Sequence, residues 1–238
     1  SGGIEALTSA LCESAWKLFQ EIEAAGGIAD ALSSGLLQKR VAETRAMRMR
    51  NIAIRKDPVT GVSEFPNIGE PREQVLDDKP DFDQLQPSDS SLSLPRTRMS
   101  EPFEALRDAA DAMKERPKIF LANLGKPADF TARTTFARNF FEAGGIASVS
   151  SDGLASPEGA VKAFKASGAK LACICSSDEV YATQAEAVAK TLKDAGASVW
   201  LAGRAGDKEA AYKTAGVGGF VYAGCDVIAA LKEAHTAL

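Results

Sequence analysis

At 238 residues, 45% hydrophobic and 25% charged, the chain has ordinary globular composition, with length for one good core and a second, smaller unit. A net charge of −4 and a pI near 5.3 exclude a general nucleic-acid binder, which needs a basic footprint to neutralise phosphates. No apolar run approaches the roughly 20 residues of a membrane span, and the start lacks a signal-peptide pattern. The expectation is a cytoplasmic protein that engages neither nucleic acid nor membrane.

The chain opens Ser1-Gly2-Gly3 rather than with Met, as a processed product or a fragment of something longer would. Ile4, Leu7, Leu11, Ala15, Leu18 and Ile22 recur at spacings of three and four, which predicts an amphipathic helix ending at Gly26-Gly27. Its apolar face calls for a surface to pack on. A second helical region runs from Ile28, breaks near Ser33-Ser34-Gly35 and continues to about Lys56. It carries Lys39, Arg40, Arg45, Arg48, Arg50, Arg55 and Lys56, a basic run that suits either a solvated face or a subunit contact.

From Asp57 to Ser100 the periodicity disappears. Pro58, Pro66, Pro71, Pro80, Pro87 and Pro95 punctuate a polar stretch with too few apolar residues for its own core, which predicts a long connector. Ser100 is placed to cap a helix with Pro102 in its first turn, reaching Glu115. Beyond Arg116, strands are expected at Ile119–Ala122, Ala147–Ser150, Leu171–Cys175, Val199–Ala202 and Phe220–Ala223. Helices are expected at Ala132–Ala143, Pro157–Ser167, Ala182–Ala195, Lys208–Ala215 and Val227–Leu238. Continuous apolar strands bridged by helices predict an α/β fold with a five-stranded parallel sheet covered on both faces, of flavodoxin-like type.

Such folds bind ligands at the carboxyl ends of their strands, so the stretch Asn123–Arg133 after the first strand stands where a cofactor would. It contains no histidine. The only one in the chain, His235, falls in the last turn of the final helix and is expected to be solvated there. Cys12, Cys173, Cys175 and Cys225 lack metal-binding spacing; the two on the third strand read as core residues, while Cys225 starts a helix whose N-terminus could lower a thiol pKa. Gly216-Val-Gly-Gly219 follows a helix and enters a strand, the reverse of a phosphate loop, and reads as a helix cap and tight turn. Asp129 and Asp178 fall near the strand ends, but a phosphoacceptor pair after the first strand is missing, since Asn123-Leu124 stands there.

Arg116-Pro-Lys-Ile-Phe-Leu-Ala-Asn-Leu-Gly125, Phe140-Phe-Glu-Ala-Gly144, Ser176-Ser177, Leu201-Ala-Gly203 and Ala215–Gly224 resemble the cobalamin-binding domain of adenosylcobalamin-dependent methylmalonyl-CoA mutases. Ala15–Gly27, Ser34-Gly35 and Phe65-Pro-Asn67 resemble the tail of the acyl-CoA-binding barrel of the same family. The resemblance implies a helical barrel tail over 1–56, an extended connector over 57–100 and a degenerate cobalamin-binding-like domain over 101–238. The family's D-x-H-x-x-G signature falls on Pro127–Ala132, which puts Asp129 in place of the cobalt-ligating histidine. Asp178 stands where S-x-L has its leucine, and Arg204 replaces the second glycine of the G-G pair.

What the resemblance implies is a non-catalytic subunit that binds no cofactor or metal itself. It would pair, as a heterodimer, with a large subunit carrying adenosylcobalamin and interconverting methylmalonyl-CoA and succinyl-CoA. The vestigial cleft would comprise Asp129, Phe130, Ser176, Asp178, Gly203 and Arg204, staying empty or filled by side chains such as Phe130 and Arg204. The alternative is a flavodoxin-like module whose cleft around Asp129, Asp178 and Arg204 takes another small ligand.

Overall fold

The computed structural model describes residues 1–70, 94 and 97–238. The expected connector therefore lies largely outside the described residues, Pro71, Pro80, Pro87 and Pro95 included. The described chain forms two compact units: residues 1–48 with 94 and 97, and residues 49–70 with 98–238.

In the first unit, helix α1 spans Gly2–Ala24 and ends where Gly26 and Gly27 take φ of +100° and +86°. Helix α2 covers Ile28–Ser33 and α3 covers Leu36–Ala53. Arg40 donates to both carboxylate oxygens of Glu21 at 2.6 and 2.7 Å, which ties α3 to α1. No residue of α1 is buried.

The second unit begins inside α3, because Ile52 and Ala53 enter the core beneath the sheet. Arg55 goes in with them: its side chain is 10% exposed, pairs with Glu64 at 3.4 Å and lies over the rings of Phe136 and Phe140. Burial pushes its pKa down. Arg55 is thus no part of a solvated basic face.

Helix α4 is Glu101–Asp111. It stops short of Glu115. Ser100 does not cap it with its side chain; its hydroxyl donates instead to Glu104 at 2.6 Å. Five strands follow, β1 Lys118–Asn123, β2 Ala147–Ser150, β3 Leu171–Cys175, β4 Ser198–Ala202 and β5 Val217–Val221, in the order β2-β1-β3-β4-β5, all parallel. That order is the flavodoxin-like one. Between and after them run α5 Pro127–Ala143, α6 Pro157–Ser167, α7 Asp178–Asp194, α8 Glu209–Ala215 and α9 Val227–Thr236.

Strand side chains alternate between two cores. Ile119, Leu121, Cys173, Cys175, Trp200 and Val221 meet α4, α5 and α9 on one face. Phe120, Ala172, Ile174, Val199, Leu201 and Val217 meet α6, α7 and α8 on the other. Strand β5 begins earlier than its apolar residues suggest, because glycines occupy it: a Cβ at Gly219 would lie 2.2 Å from the Trp200 ring. Only Gly216, with φ of +114°, forms the turn after α8; the other residues of that glycine run are strand.

Candidate functional site

In this topology the order reverses between β1 and β3, so the ligand crevice of the fold lies outside their carboxyl ends. Here the two ends are stitched together. The Leu124 N–H donates to Cys175 O at 3.0 Å, and the Ser176 hydroxyl donates to Leu124 O at 2.7 Å. On the other side of β1, the buried Asn123 amide donates to Ser150 Oγ at 3.0 Å and Ser151 O at 2.6 Å, and accepts from the Thr134 hydroxyl. Buried polar groups are costly unless paired. These partners satisfy Asn123 and pull α5 and the β2 end against β1.

The stretch after β1 is a short turn, not a long loop. Helix α5 starts at Pro127 because proline suits a first helical turn, and Asp129 accepts from the Lys126 N–H at 2.8 Å while its own N–H bonds Lys126 O. Arg133 follows one turn later, on the same side of the helix. Its Nη1 donates to Ser176 O at 2.7 Å and its Nη2 to Asp178 Oδ1 at 2.6 Å. The guanidinium lies 4.8 Å from the Tyr181 ring centroid. A Cβ at Gly203 would approach Arg133 Cζ to 3.2 Å, so the absence of a side chain at the β4 end makes room for the cation.

Tyr181 anchors this arrangement from α7. Its hydroxyl accepts from the Ser176 N–H at 3.0 Å and sits 2.9 and 2.8 Å from the carbonyls of Ile174 and Ala202, to which it donates its proton. Burial pushes the phenol far above its ordinary pKa, so it stays neutral. For Arg133, burial disfavours the charge, but the hydrogen bond to Asp178 and the interactions with Tyr181 and the Asp178 charge together outweigh it, and the pKa is raised.

Of the six residues expected in the cleft, Ser176, Asp178 and Gly203 surround Arg133. The other three lie elsewhere. Asp129 caps α5. Phe130 packs toward the loop after β2, where a Cβ on Gly153 would meet its ring at 3.4 Å. Arg204 is exposed over the Tyr222 ring and donates to Ala223 O at 3.4 Å, so it turns toward β5 and does not fill the slot. Arg133, which does, was missed; the helix-start pair Pro127 and Asp129 was the signal that places it.

His235 is half-buried, and its Nε2 donates to Gly144 O at 2.8 Å, fastening α9 to the end of α5; it is not simply solvated. Burial raises the Cys225 thiol pKa, outweighing the lowering by the Tyr222 backbone and Arg55, and Cys225 lies just outside α9, which Asp226 caps. Cys173 is raised by burial as well. Among the described residues no three His, Cys, Asp or Glu side chains gather to hold a metal ion, and no helix is long and apolar enough to cross a membrane.

Residues 1–128, more than half of the chain, match the profile of the methylmalonyl-CoA mutase family. The chain belongs to that family. The methylmalonyl-CoA mutase small subunit of Streptomyces virginiae is 46% identical over 97% of this chain and 36% of its own length. That of Propionibacterium freudenreichii subsp. shermanii is 39% identical over 97% of this chain and 35% of its own. The chain thus spans about a third of the length of these relatives. The large subunit from Streptomyces virginiae is 32% identical over 47% of this chain and 14% of its own length. A cobalamin-binding protein from Desulfitobacterium hafniense DCB-2 superposes with a TM-score of 0.42 at 17% identity, over 57% of this chain and 68% of that one. The fold assignment rests on the strand order instead.

Proposed function

We propose that this chain is the C-terminal part of a cobalamin-free small subunit of an adenosylcobalamin-dependent methylmalonyl-CoA mutase. It works by association with the cobalamin-bearing large subunit, in a heterodimer that interconverts methylmalonyl-CoA and succinyl-CoA in the cytoplasm. On this reading residues 1–56 are a barrel tail, 57–100 a connector and 101–238 the degenerate cobalamin-binding-like domain. It contributes no catalytic group of its own.

The observation that carries the reading is the seat of Arg133 among Ser176, Asp178, Tyr181 and Gly203, at the strand ends where the fold would admit a cofactor. The donor set there does not fit a cobalamin. No imidazole follows β1, Asp129 is committed to the start of α5, and a guanidinium stands where a nucleotide tail would enter. Homology to small subunits along 97% of the chain supports the same reading.

The test is size-exclusion chromatography of the chain, and of its full-length parent, with the large subunit. Co-elution of the parent at a fixed ratio is expected. A parent that elutes alone at micromolar concentrations would sink the proposal.

A further inference from the structure

We propose that the carboxyl ends of β3 and β4 form a guanidinium site, which Arg133 fills from within the chain. The inference rests on the reading that this slot does not take a cobalamin tail, and it names the chemistry the slot now prefers. Four features are shaped to a planar cation. The Ser176 carbonyl and the Asp178 carboxylate accept from two different guanidinium nitrogens, at 2.7 and 2.6 Å. The face of the buried Tyr181 ring lies 4.8 Å from the cation centre, a cation–π distance. Gly203, at φ of +149°, leaves the remaining side open, where any Cβ would meet Cζ and Nη1 at 3.2 Å.

The Ser176 acceptor and the Tyr181 ring are held by contacts that do not involve Arg133. Ser176 is held through its hydroxyl on Leu124 O and through its N–H on the Tyr181 hydroxyl. The Tyr181 hydroxyl is itself fixed by the carbonyls of Ile174 and Ala202. Two acceptors placed to receive different nitrogens beside an aromatic face favour a guanidinium or amidinium over a spherical ammonium, which presents no planar fork of donors. Asp178 is 81% exposed on its side chain, so the slot opens to solvent on the Asp178 side.

The test empties the slot and refills it. Arg133→Ala in the full chain is melted with increasing methylguanidinium chloride, and separately with methylammonium chloride at equal ionic strength. The variant is expected to melt about 3 °C or more below the parent. Methylguanidinium restores the difference saturably, methylammonium does not, and neither raises the melting temperature of the parent. A variant that melts like the parent, or one that responds alike to both cations, would overturn the proposal. Should Arg133→Ala fail to fold, Arg133→Lys keeps the charge and loses the plane. It should melt clearly below the parent, and equality between the two overturns the proposal as well. Co-elution with the large subunit is read separately on the unsubstituted full-length protein, so failure of the partner assignment and failure of the guanidinium site are distinguishable.

Discussion

Helices α1 and α5 both carry large apolar residues at helical spacing, and their fates are opposite. In α5, Ala137, Phe140, Phe141 and Ala143 are buried against the sheet and α9. In α1, Ile4, Leu7, Leu11, Trp16 and Phe19 are exposed. Periodicity identifies an apolar face; what covers it depends on the neighbours the rest of the chain supplies. For α5 the cover is the sheet, from β1 before the helix to β4 after it, and in α1 no residue is buried.

The contrast breaks most sharply by removing one large apolar side chain from each helix. Phe140→Ala should cost about 3–5 kcal/mol in urea unfolding, because a fully buried ring leaves a cavity beside Phe141 and Phe136. Leu7→Ala should change the same measurement by no more than about 0.5 kcal/mol. Equal losses would mean that α1 contributes to the core after all.

A smaller effect probes how tightly the sheet itself is packed. Gly219→Ala forces a methyl to within 2.2 Å of the Trp200 ring, and overpacking of this kind costs about 1–3 kcal/mol. The loss should appear as a lower urea midpoint at unchanged slope. The companion Gly218→Ala, whose Cβ would come no closer than 3.6 Å to Val199 O, should be milder. A reversal of that order would place the glycine requirement elsewhere in β5.

The smallest effect is electrostatic and lies at the start of α4. The Arg98 hydrogen bond, helped by the Ser100 hydroxyl, holds Glu104 below the usual carboxylate range. A depressed folded pKa stabilises the fold above the unfolded value and loses that contribution as pH falls through the folded one. The parent should therefore lose slightly more melting temperature than Glu104→Gln on acidification from about pH 5 downward. Both partners are exposed, and solvent screening keeps the difference small. Parallel melting curves for the two proteins would remove the pair from the account.

The sheet was legible in the sequence because parallel strands buried on both faces read as continuous apolar runs. Leu171-Ala-Cys-Ile-Cys175 is wholly buried, and its bounds were recognisable from composition alone. Strand β5 was misplaced because Gly218 and Gly219 carry no hydrophobic signal; their role appears only once the Trp200 ring lies across them. At the site, Ser176, Asp178 and Gly203 were recognisable as strand-end residues. Arg133 was not, because a buried contact made by a charged side chain leaves no trace in apolar periodicity. Arg204 drew attention by its position in a motif, yet its guanidinium lies over the Tyr222 ring.

The central claim is that the strand ends of this domain are closed to cobalamin by the chain's own groups. It is tested most directly by titrating the protein with cobalamin, desalting, and recording the absorbance of the protein fraction. The account predicts that no cobalamin stays with the protein. Retention with a shifted spectrum would contradict it, for then the slot that Arg133 fills must open and another group must take the place of the missing histidine.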